Sequence, residues 1–218
     1  MCSGADNAEY GMRNAERLKS LLFIILLLTG CQSVAPVVKI GLVGPFEGER
    51  RAIGYDVIYS ARLAVREINA AGGIGGYRVA LVALDDSGDP DLARDVAESL
   101  ALDPAVVAVI GHWDAETTAV TAPIYAAAHL PFIPAGKPPI GQYDPALLPA
   151  EFTQAYEAVT PFDETAGPYA ATTYDAFQLL WLAFDKAAQD NNKISRQSVA
   201  AALFGLQYKG LTGTIYQP

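Results

Sequence analysis

The chain has 218 residues, 51% of them hydrophobic and 18% charged, with a formal net charge of −9 at neutral pH. That length suits one domain with a real core. An acidic balance without any long basic run repels a polyanion, which excludes electrostatic binding to nucleic acid.

The first thirty residues read as an address. Arg13, Arg17 and Lys19 precede an apolar run from Leu21 to Leu28. The run is too short for a hydrocarbon core that takes about 20 apolar residues, and it has the length of the apolar region of a secretory signal. Leu28-Thr29-Gly30-Cys31 follows and resembles a bacterial lipobox, which implies lipidation of Cys31 and removal of residues 1–30. A generic signal with an incidental cysteine is the other reading. Translation starts at Met1 or at Met12, the second placing the basic residues directly at the front. Cys2 would leave with the leader, so Cys31 would be the one remaining cysteine and no disulfide could form within the processed chain. Residues 31–36 then form a tether, and no later stretch is apolar enough to span a bilayer.

Val37 to Val43 is a β-branched apolar run and reads as a buried strand, stopped by Gly44-Pro45. A loop from Phe46 to Arg51 leads into a helix reaching about Ala71, with Val57, Ala61, Ala64 and Ile68 on one face. Gly72-Gly73 ends that helix. Val79 to Leu84 is the next strand. Asp89-Pro90 supplies an N-cap followed by proline at the first helical position, and Leu92, Val96 and Leu100 are expected on the buried side up to Asp103-Pro104. Val106 to Ile110 is a third strand, wholly apolar, as a parallel strand covered on both faces should be. A helix over Ala115 to Ala128 and a short strand over Pro131 to Pro134 complete an alternation that predicts a doubly wound parallel α/β sheet.

The alternation stops after Gly136. Residues 137–149 hold four prolines and read as a connector. Helices are expected over Glu151 to Val159, Pro168 to Gln189, and from Ser195 or Ser198 through Phe204. On the longest, Tyr174, Phe177, Trp181, Phe184 and Ala188 form an aromatic stripe that reads as a core face. Leu211 to Tyr216 is a terminal extended piece. The expected fold is therefore a single α/β lobe over residues 37–218 with extra C-terminal helices.

Several segments share one likeness. Gly44-Pro45-Phe46-Glu47-Gly48, the stretch from Leu63 to Ile74, Asp85-Asp86, Gly111-His112 and Ile133-Pro134-Ala135 resemble the leucine/isoleucine/valine type of periplasmic substrate-binding protein, and so do Tyr174-Asp175-Ala176 and Gly210-Leu211-Thr212-Gly213. The resemblance implies a type I periplasmic-binding fold, which has two similar lobes with a ligand clamped between them. The second lobe would be inserted where this sequence has only residues 137–149, so it is expected to be absent. The resemblance further implies an extracytoplasmic, lipid-anchored protein that captures an amino acid or related solute for an ABC permease, without catalysis.

In an open parallel sheet ligands sit at the carboxyl ends of the strands beside helix N-termini, where free N–H groups favour a carboxylate. The residues expected to line this half-cleft are Phe46, Glu47, His112, Trp113, Asp114, Ala115, Thr117, Ala135 and Lys137. In the family a serine on the loop at Gly111-His112 and a threonine on the later loop hold the ligand carboxylate; they fall here on Ala115 and Lys137. Lys137 would then offer a cation to an acid group, with Asp114 or Glu116 facing an ammonium. Asp114 as a plain helix cap and Lys137 as a solvated charge are the alternatives. Trp113 either covers a ligand or is rim surface bared by the missing lobe, and His112 reads as a hydrogen-bonded strand-end residue. A bared face predicts an apolar patch and self-association.

No enzyme signature stands against this. Gly72-Gly73-Ile74-Gly75-Gly76 follows a helix, whereas a dinucleotide loop follows a strand. There is no Walker loop and no Gly-x-Ser-x-Gly elbow. Two histidines and no cysteine cluster give no zinc pattern, so neither metal nor cofactor is expected. The rival function is an anchored one-lobe interaction protein that binds no small solute.

Overall fold

The structure is a computed structural model and describes residues 34–216 without Pro139 and Asn192. The expected signal segment, Cys31 and the first residues of the expected tether lie outside the described residues. Four parallel strands, β1 (Val37–Gly44), β2 (Arg78–Asp85), β3 (Val106–Gly111) and β4 (Phe132–Pro134), form a sheet in the order β2-β1-β3-β4. Three helices connect them in turn: α1 (Arg51–Ala70), α2 (Pro90–Leu102) and α3 (Ala115–Ala127). After β4 come a short 3-10 turn at Pro145–Leu147, then α4 (Ala150–Glu157), α5 (Ala170–Asn191) and α6 (Arg196–Leu203). The chain ends in a hairpin of β5 (Gln207–Gly210) and β6 (Gly213–Tyr216).

Burial explains the order. Every residue of β3 is buried and β1 is buried from Ile40 on, whereas the edge strand β2 is largely half-exposed. One face of the sheet packs on α1, α5 and α6 through Ile40, Leu42, Ala108, Ile110, Phe177 and Phe184. The other face packs on α2 and α3 through Val43, Val96, Val109 and Tyr125. The aromatic stripe of α5 is core, as its spacing predicts: Phe177 and Phe184 are fully buried and Trp181 nearly so. On α2 one expectation fails. Leu92 is exposed, and the buried set is Ala93, Val96, Ala97 and Leu100, because these follow the spacing i, i+3, i+4, i+7 that puts residues on one helix face. The expected extended piece is half of a hairpin, whose strands pair from Gln207 opposite Tyr216 to Gly210 opposite Gly213.

Polar side chains tie the elements where the backbone cannot. Asn69, at the end of α1, donates its amide to Val79 O (2.8 Å) and accepts from Val79 N (3.0 Å), filling ladder positions that edge strand β2 would leave open. Asp175 on α5 accepts from the N–H groups of Leu211 (2.9 Å) and Thr212 (2.8 Å) and from the Thr212 hydroxyl (2.7 Å). That is how Tyr174-Asp175-Ala176 and the Gly210–Gly213 turn, 35 residues apart in sequence, become one structural unit.

Asp56 on α1 plays the matching part at the start of α5, accepting from Tyr169 N (3.2 Å). Burial pushes its carboxyl up to about 6, against the N–H groups of Tyr169 and Gly167 that favour the anion, with Glu164 adding repulsion. A raised folded-state value means that this group's contribution is fully present below about pH 4 and is lost as pH rises through about 6. Asp56→Asn should therefore gain stability relative to the parent between those limits, a difference read from melting temperatures at pH 4.5 and 7. Parallel pH profiles would contradict it.

Candidate functional site

Strand order reverses between β1 and β3: β2 lies to one side of β1, and β3 with β4 to the other. Connections leave such a junction in opposite directions, so a crevice opens outside the carboxyl ends of β1 and β3. Its rim comprises Pro45–Arg50 after β1, Asp86–Asp89 after β2, His112–Asp114 after β3 and Ala135–Pro138 after β4.

Asp85 shapes the first loop. Its Oδ1 accepts from the N–H groups of Phe46 (2.7 Å), Glu47 (3.2 Å) and Ser87 (3.1 Å), and its other oxygen accepts from the Ser87 hydroxyl. Burial works to raise this carboxyl, but the Ser87 hydroxyl and the three N–H donors together bring it below its ordinary value. The carboxylate is thus spent on the loop, holding Phe46 and Glu47 at the rim.

The third loop is anchored from beneath. His112 is fully buried, with Nδ1 2.6 Å from Asp86 Oδ2 and Nε2 3.0 Å from the Tyr125 hydroxyl. Asp86 is itself buried and also accepts from Gly88 N (3.0 Å). Loop two, loop three and helix α3 are therefore locked by one interior polar chain. Burial pushes the Tyr125 phenol well above its usual range, with the Asp86 charge adding to it, so the hydroxyl stays protonated. Asp114 then caps α3 through Glu116 N (2.8 Å) and forms an ion pair with Arg50 (2.7 Å). The Arg50 guanidinium, helped by the Glu116 N–H, holds the Asp114 carboxyl below its ordinary value.

Of the nine expected lining residues, Glu47, Ala115 and Lys137 are exposed, and Phe46 and Asp114 are half-buried. His112, Trp113, Thr117 and Ala135 are buried. Several expectations are corrected. Trp113 is neither bare rim nor an open ligand cover: it is 6% exposed and belongs to the core cluster shared by the sheet and α5. Thr117 points inward and donates to Asp114 O (3.1 Å), because its position on the first turn of α3 faces the sheet. Asp114 is already paired with Arg50. Among the described residues the expected apolar patch is not gathered at the rim; the exposed large apolar residues, among them Leu102, Leu147, Phe162 and Phe204, come from separate elements.

Arg50 is the rim residue that sequence reading missed, since Glu49-Arg50-Arg51 looks like ordinary solvated loop charge. The finished rim carries Arg50 and Lys137 as cations with Glu47, Asp114 and Glu116 as anions. Arg50 and Asp114 are spent on each other, which leaves exposed Lys137 as a cation for an acid group and exposed Glu47 and Glu116 as anions for an ammonium. Two grooves lie at the opposite edge of the sheet, one of about 530 Å3 between the end of α3 and α6 and one of about 680 Å3 between α2 and α3. Their walls are apolar, and the one guanidinium there, Arg196, is committed to backbone carbonyls, so the rim is the better candidate. Among the described residues no helix is long and apolar enough to cross a membrane, and no cluster of three or more His, Cys, Asp or Glu side chains forms a metal-binding set.

Comparison with known proteins fits this geometry. The amino acid binding protein of Pseudomonas aeruginosa is 36% identical over 88 residues, which are 40% of this chain and 24% of that protein. The Leu/Ile/Val-binding protein of Escherichia coli is 32% identical over 156 residues, 66% of this chain and 40% of that one. The matched part thus spans between a quarter and two-fifths of these relatives' length. Among solved structures, the branched-chain amino acid transporter substrate binding protein LivJ of Streptococcus pneumoniae, in complex with isoleucine, superposes with a TM-score of 0.66 at 17% identity, covering 83% of this chain and 91% of that one. A benzoate-bound solute binding protein of an ABC transporter from R. palustris gives 0.67 at 13% identity, covering 84% and 89%. These two share the fold. A family model described as periplasmic binding protein matches residues 37–148, half of the chain, from the first residue of β1 to the connector after β4. With its 2-1-3-4 parallel sheet and switch-point rim, the chain belongs to the periplasmic binding protein family.

Proposed function

We propose that this chain is a solute-capturing lobe of an extracytoplasmic binding lipoprotein, anchored through Cys31, that serves an ABC importer for branched-chain or related amino acids. The observation that carries the reading is the switch-point rim, where exposed Lys137 can meet a carboxylate and exposed Glu47 and Glu116 an ammonium, beside the Arg50–Asp114 ion pair. The named relatives in Pseudomonas and Escherichia bind amino acids, by their descriptions, which supports the same ligand class here. Capture needs no bond-making step; binding is the whole of the chemistry.

Small-molecule sites bury most of the ligand's surface, and a single lobe leaves one side of the ligand wet. Affinity is therefore expected to be modest, with Kd about 0.1 mM, roughly 5.5 kcal/mol of binding free energy. Titration calorimetry of residues 32–218 against leucine, isoleucine, valine and the other amino acids checks this. Millimolar or absent binding throughout would remove the solute reading. It would leave the second one, an anchored one-lobe interaction protein that self-associates or meets a partner chain, which the burial of Trp113 within the crevice favours.

A further inference from the structure

The carboxyl-end crevice is occupied by the protein itself. Trp113 packs its ring against the tip of β1 and its backbone against the residue that follows Ala135 after β4, and both contact positions are glycine. A Cβ at Gly44, the last residue of β1, would come within 2.9 Å of the indole Cε3. A Cβ at Gly136, just beyond β4, would come within 2.5 Å of the Trp113 carbonyl oxygen, and φ there is +85°, a conformation that L side chains rarely adopt. The backbone on either side of the indole is fixed: His112 by Asp86 and Tyr125, and Asp114 by its cap and by Arg50. The segment after Gly136 folds back, with Gly136 N donating to Ile140 O (2.8 Å) and Ile140 buried in the same cluster. Only the side-chain torsions of Trp113 are left to move.

A purely structural tryptophan at this place would be expected to use its N–H, because buried indoles usually find a partner. Trp113 Nε1 is buried and has none, a property it shares with Trp181 Nε1 on α5.

We propose that Trp113 is a plug in the solute crevice: its ring occupies the space a ligand's apolar side chain would take, and capture requires the ring to swing out. The crevice beneath is then a pocket for a flat or branched apolar group about the size of an indole, with the charged rim above it for the polar end. The use of this plug in gating solutes rests on the function proposed above; the plug itself does not.

Trp113→Gly tests it with indole as the probe. The variant, shown to unfold cooperatively, is expected to bind indole with a submillimolar Kd and to melt several degrees higher in millimolar indole, while the parent shows neither effect. A folded variant that ignores indole has closed over the space, and the plug is overturned. Should the glycine variant not fold, Trp181→Phe leaves Trp113 as the sole tryptophan of the two. In that protein a binding amino acid is expected to red-shift the emission and to raise acrylamide quenching at least twofold. A bound solute that leaves Trp113 emission unchanged overturns the plug. Indole uptake by the glycine variant, together with a parent that binds no amino acid, keeps the plug and removes only the importer function.

Discussion

Replacing His112 with alanine is expected to destabilise the protein by about 3–5 kcal/mol, the cost of leaving the buried Asp86 carboxyl and the Tyr125 hydroxyl without their shared hydrogen-bond partner. Asp86 would keep only the Gly88 N–H among its hydrogen-bond donors, and the Tyr125 hydroxyl would lose its partner in a site from which water is excluded. For a chain of this length the loss corresponds to a fall of roughly 10 °C in Tm. Denaturant unfolding at pH 7 measures it directly. The same experiment on Asp86→Ala and on the double variant separates pairing from packing: residues in one network couple, so the double variant should lose clearly less than the two single losses added together. Additive losses would mean that the contact contributes nothing as a pair. Because the network holds the loops after β2 and β3, the single variants should also weaken any solute binding at the rim.

The second large effect is expected at the other end of the sheet. Arg196 directs its guanidinium at five backbone carbonyls: Val106 (2.9 Å), Ala128 (3.1 Å), Leu100 (3.3 Å), Ala101 (3.0 Å) and Asp103 (2.7 Å). These are the orphan carbonyls at the ends of α2 and α3 and the start of β3, groups no helix can satisfy for itself. A cation there also meets the negative ends of both helix dipoles. Burial lowers the Arg196 proton affinity, with Asp103 opposing, yet an arginine remains charged. Arg196→Ala should cost about 2–4 kcal/mol, since several charge-assisted bonds are lost at once. Arg196→Lys should recover little, because one ammonium cannot span carbonyls on three elements. Faster amide exchange confined to the last turns of α2 and α3 would accompany the loss. A lysine variant as stable as the parent would show that charge alone suffices.

The two sites also show what could and could not be read in advance. The first four strands and three helices were legible because each carries a local signal: β-branched runs at Val37 and Val106, a cap with proline at Asp89-Pro90, glycines after α1. Leu92 was misplaced because a spacing of four fits more than one helix stripe, and only packing chooses between them. At the site, the glutamate, lysine and alanine of the rim were placed where exposure confirms they can meet solvent. The inward turn of Trp113 was hidden, since nothing local to Gly111-His112-Trp113-Asp114 says that two adjacent rings are both buried. The bonds of His112 to Asp86 and Tyr125, and those of Arg196 to α2 and α3, join positions 13 to 96 residues apart. Tertiary assembly creates them, and no periodicity announces them. Arg50 shows the same limit: an arginine in a charged loop has no feature that marks it as the partner of Asp114.

Capture of a small amino acid at the switch-point rim, as proposed above, is tested residue by residue by amide and indole NMR spectra of residues 32–218 recorded through a titration with leucine, isoleucine and valine. Saturable shifts are expected on Glu47, Arg50, Trp113, Ala115 and Lys137, with the grooves around Arg196 unmoved. Spectra unchanged at ten millimolar ligand, or shifts centred on α3 and α6 at the far edge of the sheet, would contradict it.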